Sequence, residues 1–223
     1  MPAAGRARAY RSSRRAEQAR ATRRRVLDAA TAVFLDRGYA GATVRAVADR
    51  AGVSVPTVEQ LFGTKARLLR AAIDVAIAGD DEPVPVLDRS WAQAAAQAGT
   101  AAEFLDVVAG VIGPAQARSA GLVIAVLEGS ATDRALAEPA EQLVAQRATT
   151  AGWVVDQLAA KTTLRADCPR PEAVDTVWVL MDPAVFDRLV RRRHWTVEQY
   201  QHWFAGSVDR LLLDPHRREG RPA

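Results

Sequence analysis

The chain has 223 residues, 49% apolar and 25% charged, a balance that fits a folded protein able to bury a sizeable core. No apolar run approaches the roughly 18 residues needed to cross a bilayer, and the N-terminal stretch lacks the apolar centre of a secretory signal. A single cysteine, Cys168, excludes an internal disulfide and a cysteine-based metal cluster. The chain therefore reads as cytoplasmic, with no membrane partner. Its charge is uneven: residues 1–75 hold 15 Lys+Arg against 6 Asp+Glu, a net of +9, and the remainder holds 15 against 20, a net of −5. A basic module followed by a neutral-to-acidic one points towards a polyanion. The opposing reading is a solvated tail, because nine of the arginines lie in the first 25 residues.

Residues 1–16 are rich in Arg, Ala and Ser without periodicity and are expected as a disordered basic arm. Val26, Leu27, Ala30, Val33 and Phe34 then line one face of a helix that stops at Asp36-Arg37-Gly38. Thr43 caps a second helix with Val44, Val47, Ala48 and Ala51 inward, and Gly52 fits the left-handed residue at its end. Ser54 caps a third, short helix with Pro56 in its first turn and Val58, Leu61 and Phe62 inward. Thr64 caps a fourth, and Gly79-Asp80-Asp81-Glu82-Pro83 closes it. Further helices are expected near 85–97, 101–112, 114–131 and 134–161, with a capping box at Thr100 and Glu103. A loop over 165–171 precedes a helix interrupted at Asp182-Pro183 and resumed to Arg193, and Thr196 with Gln199 opens a last helix to Leu213. The fold class is all-α. The expected divisions are a helix-turn-helix domain over 17–63, a connecting helix and linker over 64–83, a larger helical domain over 84–213, and a disordered tail over 214–223.

Two helices joined by a short glycine turn and braced by a preceding helix make a helix-turn-helix. At roughly 100° per residue, Pro56, Glu59 and Gln60 lie opposite the apolar side of the third helix, with Thr57 at the flank and Val55 at its start. Gln pairs with adenine, Glu accepts from cytosine, and Val or Thr methyls meet a thymine methyl. Lys65, one of only two lysines, stands in the first turn of the fourth helix, where the macrodipole disfavours a cation. A phosphate docking at that helix end accounts for it. Thr43, Arg45 and Ser54 complete the expected DNA-contact set.

Thr22 to Leu69, TRRRVLDAATAVFLDRGYAGATVRAVADRAGVSVPTVEQLFGTKARLL, resembles the tetracycline-repressor (TetR) family of bacterial transcription regulators. RGYAGATV, ADRAGVSVPTVEQLF and GTKARLL carry the resemblance. It implies a dimeric repressor whose larger C-terminal domain binds a small molecule and whose last two helices dimerise. It also implies phosphate contacts from Thr43, Thr57 and Lys65, and base contacts from the outer side of the third helix. The family usually has tyrosine where this chain has Glu59, so that residue either reads a base or points away. The stretch 175–213 resembles the C-terminal regions of some members.

Met181, Phe186, Trp203, Phe204, Val208 and Leu211 lie on the apolar stripes of the last helices and are expected at a homodimer interface. Trp91, Phe104, Trp153 and Trp178, with Glu128 and Asp156 as polar groups, are the expected lining of a ligand pocket. No catalytic motif, phosphate loop or metal-ligand spacing is present around His194, His202 and His216, so neither enzyme activity, cofactor nor metal is expected. Cys168 reads as an ordinary thiol. The sequence points to a ligand-responsive dimeric regulator of double-stranded DNA, a repressor released from an inverted repeat by an unidentified effector. The alternatives are a helical interaction adaptor with a basic module, or an activator of the same fold.

Overall fold

Capping side chains set helix starts along the chain. In the computed structural model, which describes residues 3–215, Thr43 accepts the Ala46 N–H at 3.0 Å to open α2 (Val44–Ala51), following α1 (Ala3–Gly41). Gly52 ends α2 at φ 65°, ψ 41°, and Ser54 opens α3 (Val55–Phe62) by accepting from the Thr57 N–H. Thr64 accepts from the Arg67 N–H at the start of α4 (Lys65–Ala78). α5 (Ser90–Gln97) follows a short 3-10 turn at 86–88. Thr100 and Glu103 form a reciprocal capping box at α6 (Ala101–Gly129). After α7 (Ala137–Lys161) and α8 (Arg170–Leu180), Asp182 caps α9 (Pro183–Phe186), which runs into a π-helical turn over 187–192. Thr196 and Gln199 repeat the box at α10 (Val197–Leu212). Among the described residues the only non-helical pairing is an isolated antiparallel bridge between Leu164 and Leu213. The protein is all-α.

The chain divides into two compact units, Met1–Val75 and Ala76–Ala223. In the first, Val26, Leu27, Phe34, Val47, Val58, Leu69 and Ile73 are buried together. Gly38, at φ 64° and ψ 179°, breaks the path of α1 near its end, because only glycine takes that backbone conformation without strain. Residues 3–16 are helical and continue α1, where an irregular arm is expected from the sequence. Ala, Arg, Glu and Gln are good helix formers, so propensity extends a helix there although no apolar face exists to bury. Residues 216–223, including His216 and most of the expected tail, lie outside the described residues. The tail's first residue is tied down, since the Asp214 N–H donates to the Thr163 carbonyl.

In the second unit, α6 packs against α5, α7, α9 and α10, while α8 lies on α7 and α10. The expected break near residue 113 is absent: Pro114 sits inside α6. A helical proline lacks an N–H and leaves the carbonyl four residues back without its partner. That carbonyl belongs to Gly110, and Gln201 of α10 donates to it at 3.5 Å. Gly113 makes room for the same side chain, since a Cβ there would stand 2.6 Å from Gln201 Cγ. α6 is also long and apolar enough to match a membrane span, which a reading of uninterrupted apolar runs misses. It is nevertheless the core helix of this unit, with Phe104, Leu105, Val108, Leu122 and Val126 buried against its neighbours.

Substituting Gly113→Ala should set two effects against each other. The gain in helix propensity is about 0.5–1 kcal/mol, and the overpacking against Gln201 costs about 1–3 kcal/mol. The substitution should therefore be tolerated at least about 1 kcal/mol better in a Gln201→Ala background than in the parent. Denaturant melts of the four proteins give the coupling, and additivity would refute the close approach.

Candidate functional site

The first unit presents one side of α3 to solvent. Val58 and Phe62 are buried and Leu61 is half-buried, whereas Pro56, Glu59 and Gln60 are exposed. Val55 and Thr57 sit at the edge between these faces. Ser54 Oγ and Thr57 Oγ1 are 2.8 Å apart, so one hydroxyl donates to the other and one proton stays available for an outside acceptor. Thr43 Oγ1 is spent as an acceptor for its helix start, which leaves its hydroxyl proton to donate outward. Arg45 lies 3.9 Å from Asp49, with both side chains largely exposed; such a pair constrains Arg45 little.

Lys65 is engaged inside the module. Its Nζ donates to the Tyr39 carbonyl at 2.9 Å and the Ala42 carbonyl at 3.3 Å, and stands 3.9 Å from the centre of the Tyr39 ring. The ammonium is turned onto the carbonyl end of α1, and two of its three N–H groups are used there. The macrodipole explains the preference: the cation leaves the unfavourable start of α4 for the favourable end of another helix. Arg23 completes the brace by laying its guanidinium 4.7 Å from the Phe62 ring centre, tying α1 to α3.

The second unit holds a cavity of about 170 Å³. Of the six residues expected around a pocket, only Trp91 borders it. Trp153 packs edge-on against Trp91 at 5.6 Å and lies 5.6 Å from Phe104, which is fully buried; these two belong to the core behind the wall. Trp178 lies beneath the Arg147 guanidinium at 4.0 Å. Glu128 is exposed near the end of α6, and Asp156 is exposed and bidentate with Arg170 at 2.7 and 2.8 Å, which holds its carboxyl below the usual range. The polar groups that do reach the cavity include Gln116, Ser119, Arg118, Arg147 and Thr150. Helical periodicity carries no sign of them, since polar residues on α6 and α7 look like solvated positions until the cavity is seen. Burial lowers the Arg147 pKa, opposed by its ion pair with Asp182 at 2.9 Å.

Four of the six residues expected at an interface are used inside the chain. Met181, Phe186, Phe204 and Val208 are buried in the second unit's own core. Tyr200, on the same stripe of the last helix, anchors them: its ring meets Phe186 at 4.9 Å and its hydroxyl donates to the Leu180 carbonyl at 2.9 Å. Burial raises its pKa, with Asp182 adding to the shift. Trp203 is half-buried, and Leu211 on α10 and Val179 on α8 are each 50% exposed. Burial also pushes up the Cys168 thiol, helped by Glu172 and Asp167, so little of it is thiolate at neutral pH.

Residues 26–72 match the model of the family of bacterial regulatory proteins, tetR family. The family match is that of this module, residues 26–72. No curated protein sequence matches it. Its fold is similar to a transcriptional regulator from Rhodococcus sp. Rha1, 20% identical, with 85% of this chain and 95% of that one covered and a TM-score of 0.58. It is also similar to the regulator FadR from Bacillus subtilis in complex with stearoyl-CoA, at 16% identity, 82% and 96% coverage and a TM-score of 0.63. A third likeness is to SmeT in complex with triclosan, at 18% identity, 87% and 93% coverage and a TM-score of 0.66.

Within the tetR-family module, Glu59 stands exposed beside Gln60 on the outward side of α3. Lys65 first serves the module itself. Lys65→Ala should lower the stability of the first unit by about 1.5–3 kcal/mol, the range for hydrogen bonds to a charged group. Thermal melts without DNA make the measurement. A melting temperature equal to the parent's would show that the ammonium is free in solution.

Proposed function

We propose that this protein is a dimeric regulator of transcription that binds an inverted-repeat operator and is released from it by a small-molecule effector. The observation that carries the reading is the outward row of α3, Pro56, Glu59 and Gln60, on a tetR-family module whose buried side leaves it free. Gln60 reads a base edge, Glu59 accepts from a cytosine amino group, and Thr43, Thr57 and Arg45 contact phosphates. The third N–H of Lys65 adds a phosphate contact to its two internal ones. Exposed Arg24, Arg25 and Arg50 supply further positive charge. The effector domain is the second unit, and its cavity is the effector site. Small molecules bound in FadR and SmeT support that assignment.

One recognition helix covers too few base pairs for useful selectivity, so two copies engage successive turns of one DNA face. The burial pattern favours an interface through exposed Val179 of α8 and Leu211 of α10, with half-buried Trp203 beside them on α10.

Gln60→Ala should relax preference at one base position per half-site, at a cost of about 1–3 kcal/mol, and leave binding to random duplex unchanged. Selection of bound fragments by both proteins provides the comparison, and identical preferences would remove Gln60 from the readers.

A Val179→Glu, Leu211→Glu protein should be monomeric and folded, and its operator affinity should fall towards the non-specific level. Light scattering and a binding titration on one sample test this. A wild-type protein that is monomeric at micromolar concentration yet tight on its operator would overturn the dimer.

A further inference from the structure

Guanidinium groups border the cavity of the second unit, and no carboxylate does. Arg89, Arg118 and Arg147 are in its wall; Asp and Glu side chains are absent from it among the described residues. The three cations are not equivalent. Arg89 is spent, since it holds Asp80 with two nitrogens at 2.6 and 3.0 Å and also donates to the Val84 and Glu82 carbonyls. Arg147 reaches Asp182 through one terminal nitrogen, and its Nε is buried without a hydrogen-bond partner, on a side chain only 11% exposed. Arg118 gives its Nε and one terminal nitrogen to the Ala76 and Ile77 carbonyls, and no carboxylate faces it among the described ion pairs.

The Arg147 Nε is closed off from the cavity itself, so the donors a ligand can meet are the terminal nitrogens of Arg147 and of Arg118, and on Arg118 no carboxylate offsets the charge. A guanidinium matches a carboxylate in geometry as well as charge. The lining also holds apolar groups, among them Trp91, Ile112, Leu143 and Met181. We infer that the effector is a compact organic acid, one carboxylate on an apolar body, with the carboxylate at Arg118 and Arg147. The inference rests on the second unit being the effector domain. A cationic ligand would meet guanidinium groups with no counter-charge in the wall. A neutral one would meet the apolar lining and leave Arg118 uncompensated. The volume, about 170 Å³, lies below the roughly 300–1,000 Å³ of drug-sized sites, which favours a compact ligand.

The test titrates the full chain with 3-phenylpropionate, 3-phenylpropionamide and 3-phenylpropylamine, and with the corresponding benzoate, benzamide and benzylamine. Calorimetry gives affinity, and quenching of tryptophan fluorescence reports occupancy near Trp91. The acid of at least one set should bind at least tenfold more tightly than its amide, with the amine weakest. Arg118→Gln and Arg147→Gln should each reduce the acid-to-amide ratio below about threefold. Both arginines also hold local structure, so the ratio is the deciding quantity: lost packing weakens acid and amide together, whereas lost charge recognition weakens the acid alone. Equal binding of acid and amide, preference for the amine, or no binding by either set at millimolar concentration overturns the inference. Unchanged ratios in both variants do so as well. Retention of a selected duplex is measured on the same samples. A protein that binds its duplex but none of the acids loses only this inference, and one that binds an acid but no duplex loses only the regulatory reading.

Discussion

The end of an α-helix leaves carbonyl groups with no partner in their own helix, and a chain made of helices must answer that need repeatedly. Here cations answer it at three places. Lys65 takes the Tyr39 and Ala42 carbonyls, Lys161 takes those of Ala96 and Ala98 at 2.7 and 2.8 Å, and Arg118 takes those of Ala76 and Ile77. The two lysine clamps share a second element. Each ammonium stands over an aromatic ring near the same site, Tyr39 at 3.9 Å and Phe104 at 5.8 Å. A compact, strongly hydrated charge gains most where carbonyl dipoles and a ring face replace its water together. These clamps join α4 to the end of α1, α7 to the end of α5 and α6 to the end of α4.

The consequence in the second unit runs through α6. Pro114 frees the Gly110 carbonyl, Gly113 lets α10 approach, and Gln201 fills both needs with one side chain. One turn further on, Gln116 donates to the Met181 carbonyl at the end of α8, so a buried polar side chain caps a second helix end. Between α6 and α7 this leaves a cavity whose wall is apolar except for groups already engaged elsewhere, or left one donor short.

Capping residues made the helix starts legible in the sequence, because Thr43, Ser54, Thr100, Asp182 and Thr196 act within three residues of themselves. The inward and outward sides of α3 were legible for the same reason: period and burial coincide in a short helix. Long-range pairings were not. Amphipathic stripes mark Met181, Phe204 and Val208 as apolar without saying whether the same chain or another covers them, and here the same chain does. Lys65 was conspicuous by rarity, but its partners lie 23 and 26 residues away and no local pattern points to them. Glu128 and Asp156 look like polar groups near aromatics, yet helix geometry turns both to solvent. The break expected near residue 113 failed because its remedy, Gln201, lies 91 residues from the freed carbonyl.

Lys65 and Lys161 are the only lysines in the sequence, and each holds carbonyl oxygens across a helix junction. The arginine-rich surface thus offers side-chain amines only where they are already committed. Acylating either lysine would remove a positive charge and break a junction at once, so such a modification would register first as loosening of the fold. Amine-directed cross-linkers and labels, ordinarily used as gentle surface probes, would act on this protein as denaturants of two particular helix contacts.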